Sequence, residues 1–129
     1  MAQIIIYSRK SHLDGNKKSI SDTLHECVFE CLALPADKRF HRFIGLEEDD
    51  FIHPEDRSNR YTIIEISMFS GRSTETKKEL IKMIFKRFND KLGITPKDVE
   101  ITIYESPQEN WGIRGMPGDE LMLSYTVNK

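Results

Sequence analysis

The feature that most constrains the fold is an internal duplication, in which the second half of the chain repeats the pattern of the first. At a spacing of 61 residues, Pro35 falls on Pro96 and Asp37 falls on Asp98. At the same spacing, apolar residues with the spacing of a helix recur and form a second stripe. Ile20, Leu24, Cys27 and Cys31 fall on Ile81, Phe85, Phe88 and Leu92. The opening strands match at a spacing nearer 60. The pattern predicts one structural unit used twice, over about residues 1–60 and 61–129.

The first half has the pattern of a β-α-β unit. The run Gln3–Tyr7 is short and rich in isoleucine, which is typical of a buried strand. Asp14 is suited to cap a helix that carries the first apolar stripe and ends before Pro35. The segment Arg39–Ile44 then predicts a second strand.

The second half predicts the same order of elements. Tyr61–Met68 has the composition of a strong strand, and Gly71–Ser73 leads into a helix that carries the second stripe. We expect this helix to end at Gly93, because glycine accepts the left-handed conformation that closes many helices. After Pro96, the alternating segment Glu100–Tyr104 predicts the fourth strand.

Two such units predict an α+β fold, a single domain with a four-stranded mixed sheet and both helices on one face. The two strands joined by each helix should be parallel, since a helical crossover returns the chain to the same end of the sheet. The strands are predominantly apolar, whereas the helices can cover only one side of the sheet. We therefore expect copies of the same chain to bury the other face.

Two long connections lie outside these elements. Residues 45–60 contain the acidic run Glu47–Asp50 and are expected to form a solvated surface insertion. Residues 105–119 hold Trp111, Arg114 and three glycines, and loops of this length are often functional. A short closing strand is expected after them, paired within the chain or with a neighbour, because polar residues alternate with Leu121, Leu123, Tyr125 and Val127.

Charge and composition narrow the range of functions. With 19 basic and 21 acidic residues, the net charge is −2, and the chain lacks the cationic surface that holds nucleic acid or an anionic membrane. No basic segment followed by a long apolar stretch comes after Met1, so we expect a cytoplasmic protein. Cys27 and Cys31, four residues apart, are expected to be buried apolar side chains rather than metal ligands. Since the histidines have no metal-site spacing either, we expect no metal and no cofactor.

Four short motifs follow the pattern of a known family: Arg57–Ser58, Phe69–Lys77, Gly93–Val99 and Glu109–Gly112. Together they resemble the tautomerase superfamily, in particular its longer-chain branch with malonate semialdehyde decarboxylase and the cis-3-chloroacrylic acid dehalogenases. The resemblance implies a tautomerase/MIF-like fold and a homotrimer whose sheets face inward, with small active sites near the subunit boundaries. It also implies catalysis by the amine of an amino-terminal proline, and arginines that bind the carboxylate of the substrate.

The sequence departs from that pattern at Ala2, which stands where the resemblance implies proline. If Met1 is removed, the amine of Ala2 is a candidate general base, because the ordinary pKa of an α-amine is about 7.7–8.0. The alternative is a plain strand terminus. His25 matches a histidine of the family's first helix that can serve in the active site, and the alternative is a partly buried, hydrogen-bonded histidine.

Arg72 is the main candidate for binding a carboxylate, since it follows a strand and opens a helix where free backbone N–H groups favour an anion. A surface ion pair with Glu75 or Glu79 is the alternative. The resemblance implies two arginines around this turn, and Ser70 stands in place of the first.

Arg39 and Arg114 are candidates to supply the missing positive charge. Trp111 matches a tryptophan of the family, and it either walls the pocket or packs at a subunit interface.

The expected function is keto–enol proton transfer on a small 2-keto or enol carboxylic acid. One alternative is a catalytically silent trimer that acts as a binding or scaffold protein. Another is a decarboxylase or dehalogenase, which needs a water-activating acid that the resemblance places at Lys38, beside Asp37. The expected partners are copies of the chain itself and a small carboxylate, without nucleic acid or membrane.

Overall fold

A four-stranded mixed sheet organises the chain, as the sequence predicts. The computed structural model describes residues 2–121 and Val127. The strands are β1 (Ala2–Arg9), β2 (His41–Leu46), β3 (Thr62–Phe69) and β4 (Val99–Ser106), in the order β2-β1-β3-β4. β1 is parallel to β2, β3 is parallel to β4, and β1 is antiparallel to β3. The prediction of an α+β fold built from two β-α-β units is therefore confirmed.

Two long helices connect the paired strands. α1 (Lys10–Leu13) is a single turn, followed by α2 (Lys17–Leu32), and α3 (Thr74–Arg87) continues through a π-helical turn over Phe88–Leu92. Both long helices close on a residue of left-handed conformation, Ala33 with φ 53° and Gly93 with φ 66°. The expected end of the second helix at Gly93 is confirmed.

The expected cap at Asp14 is wrong. Because Lys10–Leu13 turn into α1 directly after β1, Asp14 follows that short helix and α2 begins later, after Asn16. Neither Asp14 nor Asn16 provides a side-chain cap, since the Asn16 amide donates instead to the carbonyl of His12 at 2.7 Å.

The core lies between one face of the sheet and the two long helices. Side chains of β1 and β3 alternate between buried and partly buried, and Ile4, Ile6, Ile64 and Ile66 are at most 1% exposed. The expected stripe of the second helix is wrong by one position. Leu80 and Ile84 join Phe88 in the core, whereas Ile81 and Phe85 are only partly buried.

The buried residues of α3 also show where the spacing between the two repeats is 60. Ile20 and Leu80 occupy equivalent buried positions at a spacing of 60, and so do Leu34 and Ile94. At the two prolines, Pro35 and Pro96, the spacing is 61.

The opposite face of the sheet carries partly exposed side chains of mixed character. Ile5, Tyr7 and Ile63 are partly buried there, beside Glu65. The hydroxyl of Tyr104 donates to Oε2 of Glu65 at 3.3 Å, and hydrogen bonding to Glu65 raises the pKa of Tyr7. This face is apolar only in part, since acidic and phenolic groups meet near its centre.

The acidic connection after β2 is more structured than the sequence predicts. Residues Glu48–Asp50 form an exposed 3-10 turn, but Phe51 is buried and stacks on Tyr61 with a ring separation of 5.4 Å. The backbone N–H of Ser58 donates to Asp98 at 2.8 Å, which ties the connection to the start of β4. The packing of Phe51 on Tyr61 therefore fixes part of a connection that was expected to be a solvated surface insertion.

The connection after β4 forms a compact turn structure. A small hairpin pairs β5 (Gly112–Ile113) with β6 (Met116–Pro117), and its tip is Arg114–Gly115 with φ angles of 51° and 84°. The N–H of Gly118 donates to the carbonyl of Trp111 at 2.7 Å and closes the loop. Of the closing strand expected over residues 121–127, residues 122–126 lie outside the described residues. In the described part of the chain, no helix is long and apolar enough to cross a membrane.

Gly118→Ala tests how tightly this loop closes. A Cβ at Gly118 would lie 2.5 Å from the carbonyl oxygen of Gln108 and 3.1 Å from Cβ of Trp111, so the backbone must shift. We expect a loss of about 1–3 kcal/mol in the free energy of unfolding, measured by urea denaturation at fixed protein concentration. Gly112→Ala is the matched control, because nothing lies within 4 Å of a Cβ there. Equal losses in the two variants would contradict the close approach.

Candidate active site at the Ala2 edge of the sheet

The topology gathers several chain segments at one edge of the sheet, which we call the Ala2 edge. Ala2 pairs with Met68, so β1 begins where β3 ends. The N–H of Ile4 donates to the carbonyl of Phe40 at 2.9 Å, which brings the start of β2 to the same edge. The N–H of Ser70 donates to the carbonyl of Ser106 at 2.9 Å and adds the end of β4. Ala2 itself is buried, with 6% of its surface exposed.

Trp111 is held to this edge by an aromatic contact. Its ring meets Phe69, the last residue of β3, edge to face at 5.2 Å, and Phe69 is fully buried. The indole N–H of Trp111 is buried and has no hydrogen-bond partner among the described residues. Such an N–H, with no partner among the described residues, is suited to bind a polar group of a ligand or of a neighbouring subunit.

Arg72 is a buried cation whose charge no described carboxylate balances. It is 8% exposed, and its Nη1 donates to the carbonyl of Leu32, the last residue of α2, at 2.6 Å. The expected alternative, an ion pair with Glu75 or Glu79, does not form. Burial lowers the pKa of Arg72, but an arginine keeps its charge at neutral pH. A buried cation without a counter-charge attracts anions.

Arg39 belongs to a polar network on α2. Its Nη1 donates to Asp22 at 2.6 Å and to the hydroxyl of Ser21 at 3.3 Å. The Ser21 hydroxyl lies 2.7 Å from Nδ1 of His41. Hydrogen bonds from Lys18 and then Arg39 hold the pKa of Asp22 at about 2, so Asp22 is ionised and partly neutralises Arg39.

His25 lies beside this network, next to the ring of His41. Its Nε2 lies 2.8 Å from the carbonyl of Ala36, and its ring centroid lies 6.4 Å from that of His41. Because a carbonyl only accepts hydrogen bonds, Nε2 carries a proton, and in the neutral ring Nδ1 has a free lone pair. That Nδ1 is buried without a partner in the described part of the chain. The geometry therefore fits both interpretations of His25, since the ring is hydrogen-bonded and still has a basic nitrogen available.

An open cleft lies at the Ala2 edge beside this network. It has a volume of about 350 Å³ and is lined by Gln3, Arg39, Phe40, His41 and Arg42. Sequence reasoning missed His41 and Arg42. The alternation of Arg42 with Phe43 in a strand was the available signal, because it places the arginine on the face opposite the core.

Arg114 lies apart from the other candidates. It is exposed at the tip of the β5–β6 hairpin, and no contact with described residues links it to the cleft. The structure thus brings Ala2, Arg72 and Trp111 to one edge, with Arg39 and His25 joined to that edge by the α2 network.

No metal site is formed by the residues that the structure describes, since no three His, Cys, Asp or Glu side chains are grouped to hold an ion. Cys27 is fully buried in the core, and burial raises the pKa of its thiol to about 12. Cys31 is partly buried, with its sulfur 3.6 Å from that of Met83. Both thiols act as apolar core side chains.

A family model described as "Tautomerase enzyme" matches residues 38–114. The chain belongs to the tautomerase family. A curated relative, the probable tautomerase YusQ of Bacillus subtilis, is 25% identical over 116 residues, which are 86% of this chain and 91% of the relative. The 2-hydroxymuconate tautomerase of Comamonas testosteroni is 37% identical over 57 residues, which are 44% of this chain and 90% of that protein. That match therefore spans nearly the whole of the relative and less than half of this chain.

Solved structures agree with this assignment. The structure of a malonate semialdehyde decarboxylase inhibited by 3-bromopropiolate has a TM-score of 0.78 at 27% identity, covering 88% of this chain and 89% of the other. A fused 4-OT described as an asymmetric trimer has a TM-score of 0.78 at 18% identity, covering 91% and 96% of the two chains, and shows the shared fold.

The ionisation of His41 gives a test of the α2 network. Burial first, then Arg39 and His25, lower the pKa of His41 from 6.5 to about 4. The unfolded chain then binds more protons than the folded chain between these values, so His41 should reduce stability as the pH falls from about 6.5 towards 4. NMR titration of the His41 ring should give a midpoint near 4, and Arg39→Gln should raise it. An ordinary midpoint near 6.5 would contradict the buried position.

Proposed function

We propose that this protein is a tautomerase that moves a proton between carbon and oxygen of a small 2-keto or enol carboxylic acid. The observation that carries the proposal is Arg72 at the Ala2 edge, a buried cation that pairs with no carboxylate among the described residues. Membership of the tautomerase family and the printed activity of the Comamonas testosteroni relative support it. A soluble, cytoplasmic location fits such a small polar substrate.

The amine of Ala2 is the proposed base once Met1 is removed. The ordinary pKa of an α-amine is about 7.7–8.0, so a fraction of such an amine is neutral and basic near pH 7. The amine takes the proton of the enol hydroxyl, and the resulting ammonium group returns a proton to the neighbouring carbon, which leaves the ketone. His25, with the lone pair of Nδ1, is the second proposed catalytic group.

The carboxylate of the substrate is proposed to bind Arg72, with help from Arg39 and Arg114. One guanidinium nitrogen of Arg72 donates to Leu32, and no other described residue accepts from its remaining N–H groups, which we propose bind the anion. Arg39 is already paired with Asp22, so its contribution is weaker than that of a free arginine. Trp111 is proposed to wall the pocket.

Two other functions of the same fold are supported by particular observations. A catalytically silent trimer that binds or scaffolds fits the pairing of Arg39 with Asp22 and the presence of Ala2 in place of proline. A decarboxylase or dehalogenase fits the 27% identical solved relative. The latter needs a water-activating acid, and Asp37 is the nearest candidate in the sequence.

The stable form is proposed to be a homotrimer. Ile5, Ile63 and Tyr104 are partly exposed on the sheet face away from the helices, and a fused 4-OT of the same fold is described as a trimer. Three sheets facing inward would bury these side chains.

Sedimentation velocity tests the trimer. We expect one species of three 15.1 kDa chains for the unchanged protein. Ile63→Lys should dissociate it, because burying a lysine where the sheets meet costs free energy even beside Glu65 and Glu100. Glu79→Lys, exposed on α3, is the control and should leave the trimer intact. A monomer for the unchanged protein would overturn the assignment.

Activity is tested by following the ultraviolet absorbance of the enol form of phenylpyruvate. Arg72→Gln should lower kcat/KM about 10- to 100-fold, which corresponds to the loss of one charge-assisted hydrogen bond. Arg87→Gln, an arginine of α3 paired with Glu30, is the matched control and should keep the rate. Equal rates for both variants would remove Arg72 from the mechanism, and no rate above buffer would favour the silent trimer.

The Ala2 amine is tested by mass and by substitution. Intact mass should show a chain without Met1, since a retained methionine would block the proposed base. Ala2→Pro should raise kcat/KM, because a secondary amine in a rigid ring suits the same position. A faster Ala2→Pro variant with an otherwise unchanged Arg72→Gln effect would show that both groups act in one site.

A further inference from the structure

A second cavity lies at the end of the sheet opposite the Ala2 edge. It follows the end of β1 and adjoins the start of β3, and its volume is about 190 Å³. Its lining combines three polar residues, two cations and three apolar side chains, namely His12, Asn16, Ser19, Arg60, Lys91, Ile20, Leu92 and Ile94. None of the residues proposed for tautomerase activity contributes to it.

The buried imidazole of His12 is the unusual group in this cavity. His12 is 8% exposed, and its Nε2 is buried with no hydrogen-bond partner among the described residues. Burial, and then the charge of Arg60, lower its pKa, while Asp98 acts in the opposite direction. A buried polar nitrogen without a partner costs free energy, which a ligand in the cavity could recover.

The charges of the lining favour an anion. Arg60 and Lys91 both line the cavity, and no carboxylate does. Arg60 donates from Nη1 to the carbonyl of Gly93 at 2.8 Å and from Nη2 to that of Leu92 at 2.7 Å. These bonds cover the last carbonyls of the helix, so its negative end does not oppose an anion. Lys91 pairs with Glu26 at 2.6 Å at the exposed rim.

The apolar part of the lining limits the kind of anion. Ile20 and Ile94 are at most 1% exposed, and Leu92 is partly buried. Leu92 therefore keeps apolar surface that a short hydrocarbon chain would cover and an inorganic oxyanion would not. A volume of about 190 Å³ limits this hydrocarbon to a short chain.

We propose that this cavity is a second binding site for a small monocarboxylate with a short hydrocarbon chain. The carboxylate lies between Arg60, Lys91 and Nε2 of His12, and the chain contacts the apolar side of the cavity. The site does not depend on Ala2 or Arg72, so it stands apart from the proposed catalysis.

Propionate titration of the full-length protein, followed by NMR of the histidine rings, tests the proposal. The His12 resonance should shift and saturate, whereas that of His53, which does not line the cavity, should stay unchanged. His25 and His41 report separately on binding at the Ala2 edge. The Arg72→Gln variant should give the same His12 shift, which separates this site from the proposed function. An unmoved His12 resonance overturns the proposal.

Matched lysine variants test the anion contact. Lys91→Gln should weaken propionate binding about tenfold, the effect of one lost charge contact. Lys86→Gln is the control, since Lys86 is exposed on the same helix, pairs with Asp90 and does not line the cavity. Equal affinities in the two variants would overturn the role of Lys91. A titration with inorganic phosphate should give no His12 shift, and binding as tight as propionate would overturn the carboxylate assignment.

Discussion

The antiparallel pairing of β1 with β3 is the interaction on which the rest of the structure depends. It joins two parallel units into one sheet and sets Ile4 opposite Ile66 and Ile6 opposite Ile64, so both helices pack over a shared core. The same register fixes where the chain begins relative to the end of β3. A slip of one residue would turn the isoleucines away from the core and also move Ala2 away from Met68.

Arg39 and Arg72, two arginines of the candidate active site, differ in the groups that offset their positive charge. Arg39 is matched by the ionised Asp22, whereas Arg72 is matched, among the described residues, by the dipole of a carbonyl group and by no carboxylate. A dipole stabilises a cation less than a carboxylate does, so Arg72 keeps most of its attraction for an anion. This difference supports the proposal that Arg72, rather than Arg39, is the main group that binds the carboxylate of a substrate.

Much of the fold could be predicted from the sequence because strand composition, prolines and Gly93 act locally. The rotation of α3 could not, since Leu80 and Ile81 are adjacent apolar residues and only docking on the sheet decides which one is buried. The anchor of Phe51 on Tyr61 was missed because acidic neighbours surround it in the sequence. Arg72, Trp111 and Ala2 could be proposed by resemblance, whereas the network of Ser21 and His41 depends on contacts between α2 and β2.

The hydrogen bond from Arg72 to Leu32 has a mechanical consequence. The bond joins the turn before α3, in the second repeat, to the last residue of α2, in the first repeat. It therefore links the two repeats at a buried point. If the last turn of α2 unfolded, the buried charge of Arg72 would lose this partner. If the guanidinium moved towards solvent, α2 would lose the same hydrogen bond. An anion bound to the remaining N–H groups of Arg72 would hold this hydrogen bond in place, so anion binding would make both repeats more rigid.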